Sequence, residues 1–117
     1  MKPNIIKDKS KSFAIRVINL YKHLSDNKKE YIISKQIMRS GTSIGANINE
    51  AICSISKKEF LAKMYIAYKE AAESQYWIEL LKDTNYINHE EFNSLSKDCN
   101  ELIKILSSIT KSTKETI

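Results

Sequence analysis

The sequence of 117 residues is long enough for one domain with its own core and leaves little room for a second. Hydrophobic residues make up 42% and charged residues 28%, a globular balance, while two glycines and one proline are too few for a turn-rich all-β fold. Seventeen lysines and two arginines against fourteen acidic residues give a net charge of +5, which favours an acidic partner only weakly. With two arginines, the bidentate guanidinium contact to phosphates is scarce.

The sequence also indicates the cellular compartment and the redox chemistry of the chain. No stretch approaches the roughly 18 apolar residues of a membrane span, and the lysine-rich start has no apolar signal-peptide core. We therefore expect a cytoplasmic protein that does not bind membranes. Cys53 and Cys99 lie far apart with no histidine at ligand spacing, so we expect two small buried side chains and no cofactor.

The first half of the chain predicts two helices. After a loose start over residues 1–9, apolar residues recur at steps of three and four from Ser10 to Leu24. A polar break follows, and the second helix is expected from about Lys28 to Ile52. Its isoleucine stripe keeps its phase through Gly41 and Gly45, so we expect an unbroken helix whose glycines let a neighbouring helix approach closely.

The second half predicts two more helices, each with a capping signal. Ser56 and Glu59 have the spacing of a capping box ahead of a third helix that ends near Asp83, and Asn88 and Glu91 have it ahead of the fourth. A loose tail is expected over residues 112–117. Short loops between amphipathic helices predict one domain, residues 1–117, folded as an antiparallel up-down-up-down four-helix bundle.

A row of small and polar residues lies beside the isoleucine stripe of the second helix, interleaved with the two glycines. A freely solvated face of a lysine-rich protein would carry more long charged side chains, so we expect this row to face protein. An internal packing network is the favoured interpretation, and a subunit contact or a ligand contact are the alternatives. The row consists of Gln36, Ser40, Ser43, Asn47 and Glu50.

The third helix carries more aromatic surface than one small core needs. Such side chains anchor protein interfaces, so they predict either core and self-association surface or the docking site of a foreign partner, with the first favoured. The residues are Tyr65, Tyr68, Tyr76 and Trp77.

Residues 36–50, QIMRSGTSIGANINE, closely resemble the signature of the 23S rRNA-intervening-sequence protein family, with supporting similarity in residues 56–60, 67–77 and 101–106. The resemblance implies a four-helix protomer that assembles into a ring-like homopentamer. It also extends to the accessory variability determinant of diversity-generating retroelements, which has the same fold and binds a reverse transcriptase and nucleic acid. This chain has Met38 where many members carry a second arginine and Ala51 where many carry glycine, so Arg39 is the residue carried over as a nucleic-acid contact.

These observations predict a non-catalytic oligomeric adaptor that associates with RNA, DNA or a nucleic-acid-processing protein. A purely structural or protein-interaction oligomer is the alternative. Lysine and arginine contacts to phosphates would make the affinity fall steeply with salt. The candidate contacts are Arg16, Lys35, Arg39, Lys57 and Lys58.

An enzyme is not expected. His23 and His89 have no nucleophile or carboxylate at a supporting spacing. Glu70 and Glu73 lie one helical turn apart but lack the Glu-x-x-His spacing of bundle metal sites, so we expect no metal. We expect instead that one of these two glutamates neutralises Arg39 across the bundle.

Overall fold

The computed structural model describes the backbone of residues 3–117 and the side chains of residues 5–117. Its four helices are α1 (Pro3–Asp26), α2 (Ile33–Ile52), α3 (Lys57–Asp83) and α4 (His89–Glu115), and this range contains no strand. Each helix packs against the next one in the chain, and α1 also contacts α4. The molecule measures 46 × 21 × 19 Å. The all-α fold is therefore confirmed as four helices consistent with a bundle, whereas the ring-like assembly stays a prediction.

The core runs along the inner faces of all four helices. Its members recur at steps of three and four, as the amphipathic pattern of each helix predicts. Burying one such side chain contributes about 1.5–3 kcal/mol. Within residues 3–117, no helix combines the length and the apolar character that crossing a bilayer requires. The largest fully buried side chains are Ile6, Phe13, Val17, Leu24, Ile37, Ile44, Ile48, Met64, Ile78, Leu81, Leu102 and Leu106.

The two predicted loose tails are mostly helical. The helix α1 begins at Pro3, because Ile6 extends the apolar stripe by two more turns and is fully buried. Buried Ser10 is accommodated because its hydroxyl donates to the carbonyl of Lys7 at 2.9 Å. At the other end, α4 continues to Glu115 with Thr110 still buried. The prediction was thus wrong for residues 3–9 and 112–115, and residues 1–2 lie outside the described range.

The break before α2 is longer than predicted. This helix begins at Ile33 instead of Lys28, because Lys29 adopts a left-handed conformation (φ 55°) that interrupts the helical path. The buried Glu30 carboxylate then accepts the N–H groups of Ile32, Ile33 and Ser34 at 3.2, 3.0 and 2.7 Å. These are donors that the first turn of a helix leaves unpaired, so Glu30 caps α2.

The prediction of an unbroken α2 through both glycines is confirmed. A Cβ atom on Gly41 would lie 2.8 and 2.9 Å from the two Cγ atoms of Val17, and one on Gly45 would lie 3.3 Å from the Ser10 hydroxyl oxygen. Both contacts belong to α1. The glycines therefore allow α1 to pack against the backbone of α2.

The N-terminal caps of α3 and α4 are at the predicted residues. Ser56 Oγ accepts the N–H of Glu59 at 3.1 Å, which is one half of the predicted capping box. At α4 the box is complete, with the Glu91 N–H bonded to Asn88 Oδ1 at 2.8 Å and the Asn88 N–H bonded to Glu91 Oε1 at 3.0 Å.

Candidate binding surfaces

The polar row of α2 lies along the edge where α2 meets α3, and its members differ in how deeply they are buried. Ser40 is buried and shares a hydrogen bond of 2.9 Å with Ser74 of α3, so this member belongs to an internal network. Ser43 and Asn47 are half-buried, and the Asn47 amide donates to the Ser43 hydroxyl and carbonyl at 3.0 and 2.9 Å. Gln36 is exposed at the start of the row.

The C-terminal end of the row carries an ion pair. Exposed Glu50 lies 2.9 Å from the Lys63 ammonium of α3. Between this pair and the arginine site described next, Ile66 of α3 is 37% exposed. We call this surface the α2/α3 seam, and it comprises Gln36, Ser43, Asn47, Glu50 and Ile66.

Arg39 is neutralised by α3, as the sequence predicted. One of its nitrogens lies 3.2 Å from Glu70 Oε2, and another donates to Glu73 Oε2. The same Glu73 oxygen accepts the indole N–H of Trp77 at 2.9 Å. Two carboxylates against one guanidinium leave this spot with a net negative charge, which makes Arg39 a poor contact for a phosphate.

Arg16 is also engaged within the protein. Its guanidinium donates to Asp98 Oδ2 at 2.7 Å and to the hydroxyl and carbonyl oxygens of Ser94 at 2.9 and 3.2 Å. Both acceptors belong to α4, so this arginine joins α1 to α4. Both arginines of the chain therefore have bonded partners, and lysines carry the exposed positive charge.

The lysine candidates do not form one patch. Lys35 is exposed in the first turn of α2, whereas Lys57 and Lys58 are exposed in the first turn of α3, beyond the other end of α2. Residues 35 and 52 alone are separated by about 25 Å along the helix. The five candidate nucleic-acid contacts are thus distributed over three separate regions of the surface.

The aromatic residues of α3 divide into two kinds. Tyr68 and Trp77 are half-buried and pack against the core, whereas Tyr65 and Tyr76 are 51% and 55% exposed. The ring centroids of Tyr65 and Tyr68 are 6.0 Å apart, and those of Tyr76 and Trp77 are 5.1 Å apart. Each exposed tyrosine is therefore supported by a packed neighbour.

A groove between α3 and α4 brings together residues that the sequence did not connect. It encloses about 600 Å³, and we call it the α3/α4 groove. Sequence reasoning missed Lys111 and Lys114 because Lys114 fell within the expected loose tail and Lys111 stood directly before it, although their helical spacing was the signal that could have found them. The groove is lined by Lys58, Leu61, Ala62, Tyr65, Ser107, Thr110, Lys111 and Lys114.

The two cysteines differ in burial, so the expectation of two buried thiols was wrong for Cys53. Cys53 is exposed just after α2, because the chain turns away from the core there. Cys99 is buried, and its thiol donates to the carbonyl of Ala71 at 3.3 Å. Burial and the charge of neighbouring Asp98 raise the pKa of the Cys99 thiol to about 12. Cys99 is therefore a packing residue.

The histidines lie at helix ends. His23 is in the last turn of α1, where its Nδ1 accepts the Asn27 amide at 2.8 Å. His89 is exposed as the first residue of α4.

The fold and these surfaces define an all-α protein of four helices, with a lysine-rich surface and internally bonded arginines. The chain belongs to the 23S rRNA-intervening sequence protein family, whose model matches residues 2–108. It is similar to a solved structure from Bacteroides thetaiotaomicron VPI-5482, a protein of unknown function from the S23 ribosomal protein family. The two are 53% identical with a TM-score of 0.92, over 95% of this chain and 99% of the other. No curated protein matches the chain.

Proposed function

We propose that this protein is a non-catalytic accessory protein that binds nucleic acid as an assembly of several copies. The observation that carries the proposal is that few lysines of residues 5–117 form ion pairs. In residues 5–117, the lysines that form ion pairs are Lys9, with Glu101, and Lys63, with Glu50. The remaining lysines of that range have no carboxylate within ion-pair distance. A polyanion is the partner that many such unpaired positive charges attract most strongly.

The family points in the same direction. Its name refers to a sequence that interrupts ribosomal RNA, and the similar solved structure is assigned to a ribosomal protein family. A scarcity of arginine means that lysine point charges would make the phosphate contacts, without bidentate recognition. We therefore propose binding with little base specificity, in the cytoplasm.

Binding is tested by fluorescence anisotropy or a mobility shift with labelled RNA and DNA. The expected result is association at about 50 mM salt that weakens as the salt concentration rises. The logarithm of the affinity should fall linearly with the logarithm of the salt concentration. If the protein binds neither polymer at the lower salt concentration, the nucleic-acid function is refuted.

A purely structural oligomer is the second candidate function, and the α2/α3 seam favours it. The half-buried Ser43 and Asn47 are short and uncharged, and they lie beside exposed Ile66 between two ion-paired clusters. A small apolar centre with a polar rim is the usual composition of a protein interface. We propose that copies of the chain meet here, with the pentamer that the family resemblance implies.

Light scattering tests this contact. The wild-type protein should exceed the monomer mass at micromolar concentration, and Ile66→Asp should shift it toward the monomer. Ile15→Asp on α1 is the matched control, because Ile15 is 52% exposed and lies away from the seam. A monomeric wild type refutes the assembly, and equal effects of the two variants refute the seam as its contact.

A further inference from the structure

The α3/α4 groove combines two kinds of surface that a nucleic-acid strand could use. Lys58 of α3 stands on one wall, and Lys111 and Lys114 of α4 stand on the other. Between them lies an apolar floor made of Leu61, Ala62 and the half-exposed ring of Tyr65. The antiparallel packing of α3 and α4 creates this arrangement, since it places the first turns of α3 beside the last turns of α4.

The positive charge of the groove is not cancelled locally. In the part of the chain from residue 5 onward, no carboxylate lies within ion-pair distance of its three lysines. Glu59 and Glu115 are their neighbours in sequence, but neither lines the groove. Lys69 adds a fourth cation, because its ammonium lies 5.6 Å from the centroid of the Tyr65 ring.

The apolar floor favours single-stranded over double-stranded nucleic acid. A duplex keeps its bases stacked inside, so it would contact the lysines and leave the floor unused. A single strand can place phosphates on the lysines and an unstacked base on the tyrosine, which is how proteins commonly hold single strands without sequence preference. Tyr65 is 51% exposed and its ring centroid lies 6.0 Å from that of Tyr68, so the exposed part of its ring is available to a base.

An acidic amphipathic helix is the other ligand that a basic groove with an apolar floor could accept. Such a helix is anchored by apolar residues at positions i, i+3 or i+4 and i+7, which span about 10 Å. The floor from Leu61 to Tyr65 is one helical turn, or about 6 Å long. This length suits one or two bases better than the anchors of a docked helix.

We infer that the α3/α4 groove is a binding site for single-stranded nucleic acid, with Lys58, Lys111 and Lys114 on the phosphates and Tyr65 stacked on a base. The inference rests on the proposed nucleic-acid function and adds the site and the strandedness. Three phosphate contacts to a single strand give a salt slope of about −2. Other surface lysines contribute to the total slope but have no floor beside them.

The test is fluorescence anisotropy with labelled oligothymidylate of about 15 nucleotides, within the site sizes known for single-strand binders. A duplex and an abasic strand of the same length serve as comparison probes. The wild-type protein should bind oligothymidylate more tightly than either one. Tyr65→Ala should weaken binding of oligothymidylate about tenfold, which is typical for the loss of one stacking contact, and leave the abasic strand unaffected.

Charge is tested with two triple variants that remove the same number of lysines. Lys58→Gln, Lys111→Gln and Lys114→Gln together should lower the affinity at least tenfold and reduce the salt slope by about 2. The control replaces Lys22, Lys28 and Lys29 with Gln; all three are exposed at the opposite end of the molecule, and their loss should lower the affinity clearly less than the groove variant does. Circular dichroism confirms that each variant is folded.

The outcomes separate the site from the general function. Equal losses in both triple variants, or a duplex that binds as tightly as the single strand, would overturn the groove site and leave nucleic-acid binding in place. A wild type that binds none of the probes would refute both. A synthetic Glu- and Leu-rich helical peptide is the final probe. If the groove variant loses this peptide but retains oligothymidylate, the groove is a peptide site and the inference is wrong.

Discussion

The close contact of α1 and α2 at Gly41 predicts that Gly41→Ala changes the free energy of unfolding with a sign that depends on the side chain at position 17. An added Cβ would meet the two Cγ atoms of Val17 at 2.8 and 2.9 Å, distances at which the packing must shift. Overpacking of this kind costs about 1–3 kcal/mol, while alanine regains about 1 kcal/mol of helix propensity. We expect Gly41→Ala to lower the free energy of unfolding by about 0–2 kcal/mol.

Truncating Val17 removes the obstacle. Val17→Ala alone should cost about 2 kcal/mol, from two buried methyl groups and part of the cavity that they leave. In that background the new methyl group of Gly41→Ala occupies part of the vacated space. The same substitution should then raise the free energy of unfolding by about 1 kcal/mol, the helix-propensity term.

The assay is urea unfolding followed by far-ultraviolet circular dichroism for the wild type, both single variants and the double variant. All four are measured at one protein concentration, because self-association would make the stability depend on it. The two substitutions should couple by about 1–3 kcal/mol in the double-mutant cycle. If Gly41→Ala has the same effect in both backgrounds, the steric account of this glycine is wrong.

Three further predictions concern single side chains. Glu30→Gln should destabilise the protein by about 1–2 kcal/mol at neutral pH, since it weakens the cap of α2. Burial raises the pKa of the Glu30 carboxyl, but the N–H donors of Ser34, Ile33 and Ile32 outweigh burial, and the net pKa is lowered. In urea titrations the loss of stability in Glu30→Gln should therefore be complete above about pH 4.3 and should shrink as the pH falls below that value. A loss of stability that grows on acidification contradicts this. Arg39→Ala should cost less than about 1 kcal/mol in thermal unfolding, because its ion pairs are half-exposed. A thiol reagent at pH 8 should modify Cys53 promptly and Cys99 only after denaturant is added, and fast modification of both would contradict the burial of Cys99.

Local features of the fold were predictable because their causes lie within a few residues. The isoleucine stripe of α2 keeps a helical period, so its continuity through Gly41 could be inferred from the sequence. The cap at Asn88 depends on a carboxylate three residues later in the chain. The Glu30 cap has a similarly short range, but it was missed because lysine and glutamate before a helix do not match the usual capping signal.

The candidate binding surfaces were less predictable because they depend on residues far apart in the chain. The pairing of Arg39 with one of the two glutamates, Glu70 or Glu73, was anticipated as a neutralisation across the bundle. The engagement of Arg16 by Asp98 was not, since it requires the relative position of the first and last helices. The groove lysines are similarly distant, with Lys58 on α3 and Lys111 on α4.

The sequence by itself determined four amphipathic helices, the caps of the last two, and an excess of lysine over carboxylate. These follow from periodicity, spacing and composition, which need no knowledge of neighbours in space. The tertiary structure alone decided which charges are neutralised and which remain open to a partner. It did so because an ion pair or a groove needs atoms within a few ångströms, and only helix packing brings residues from opposite ends of the chain that close.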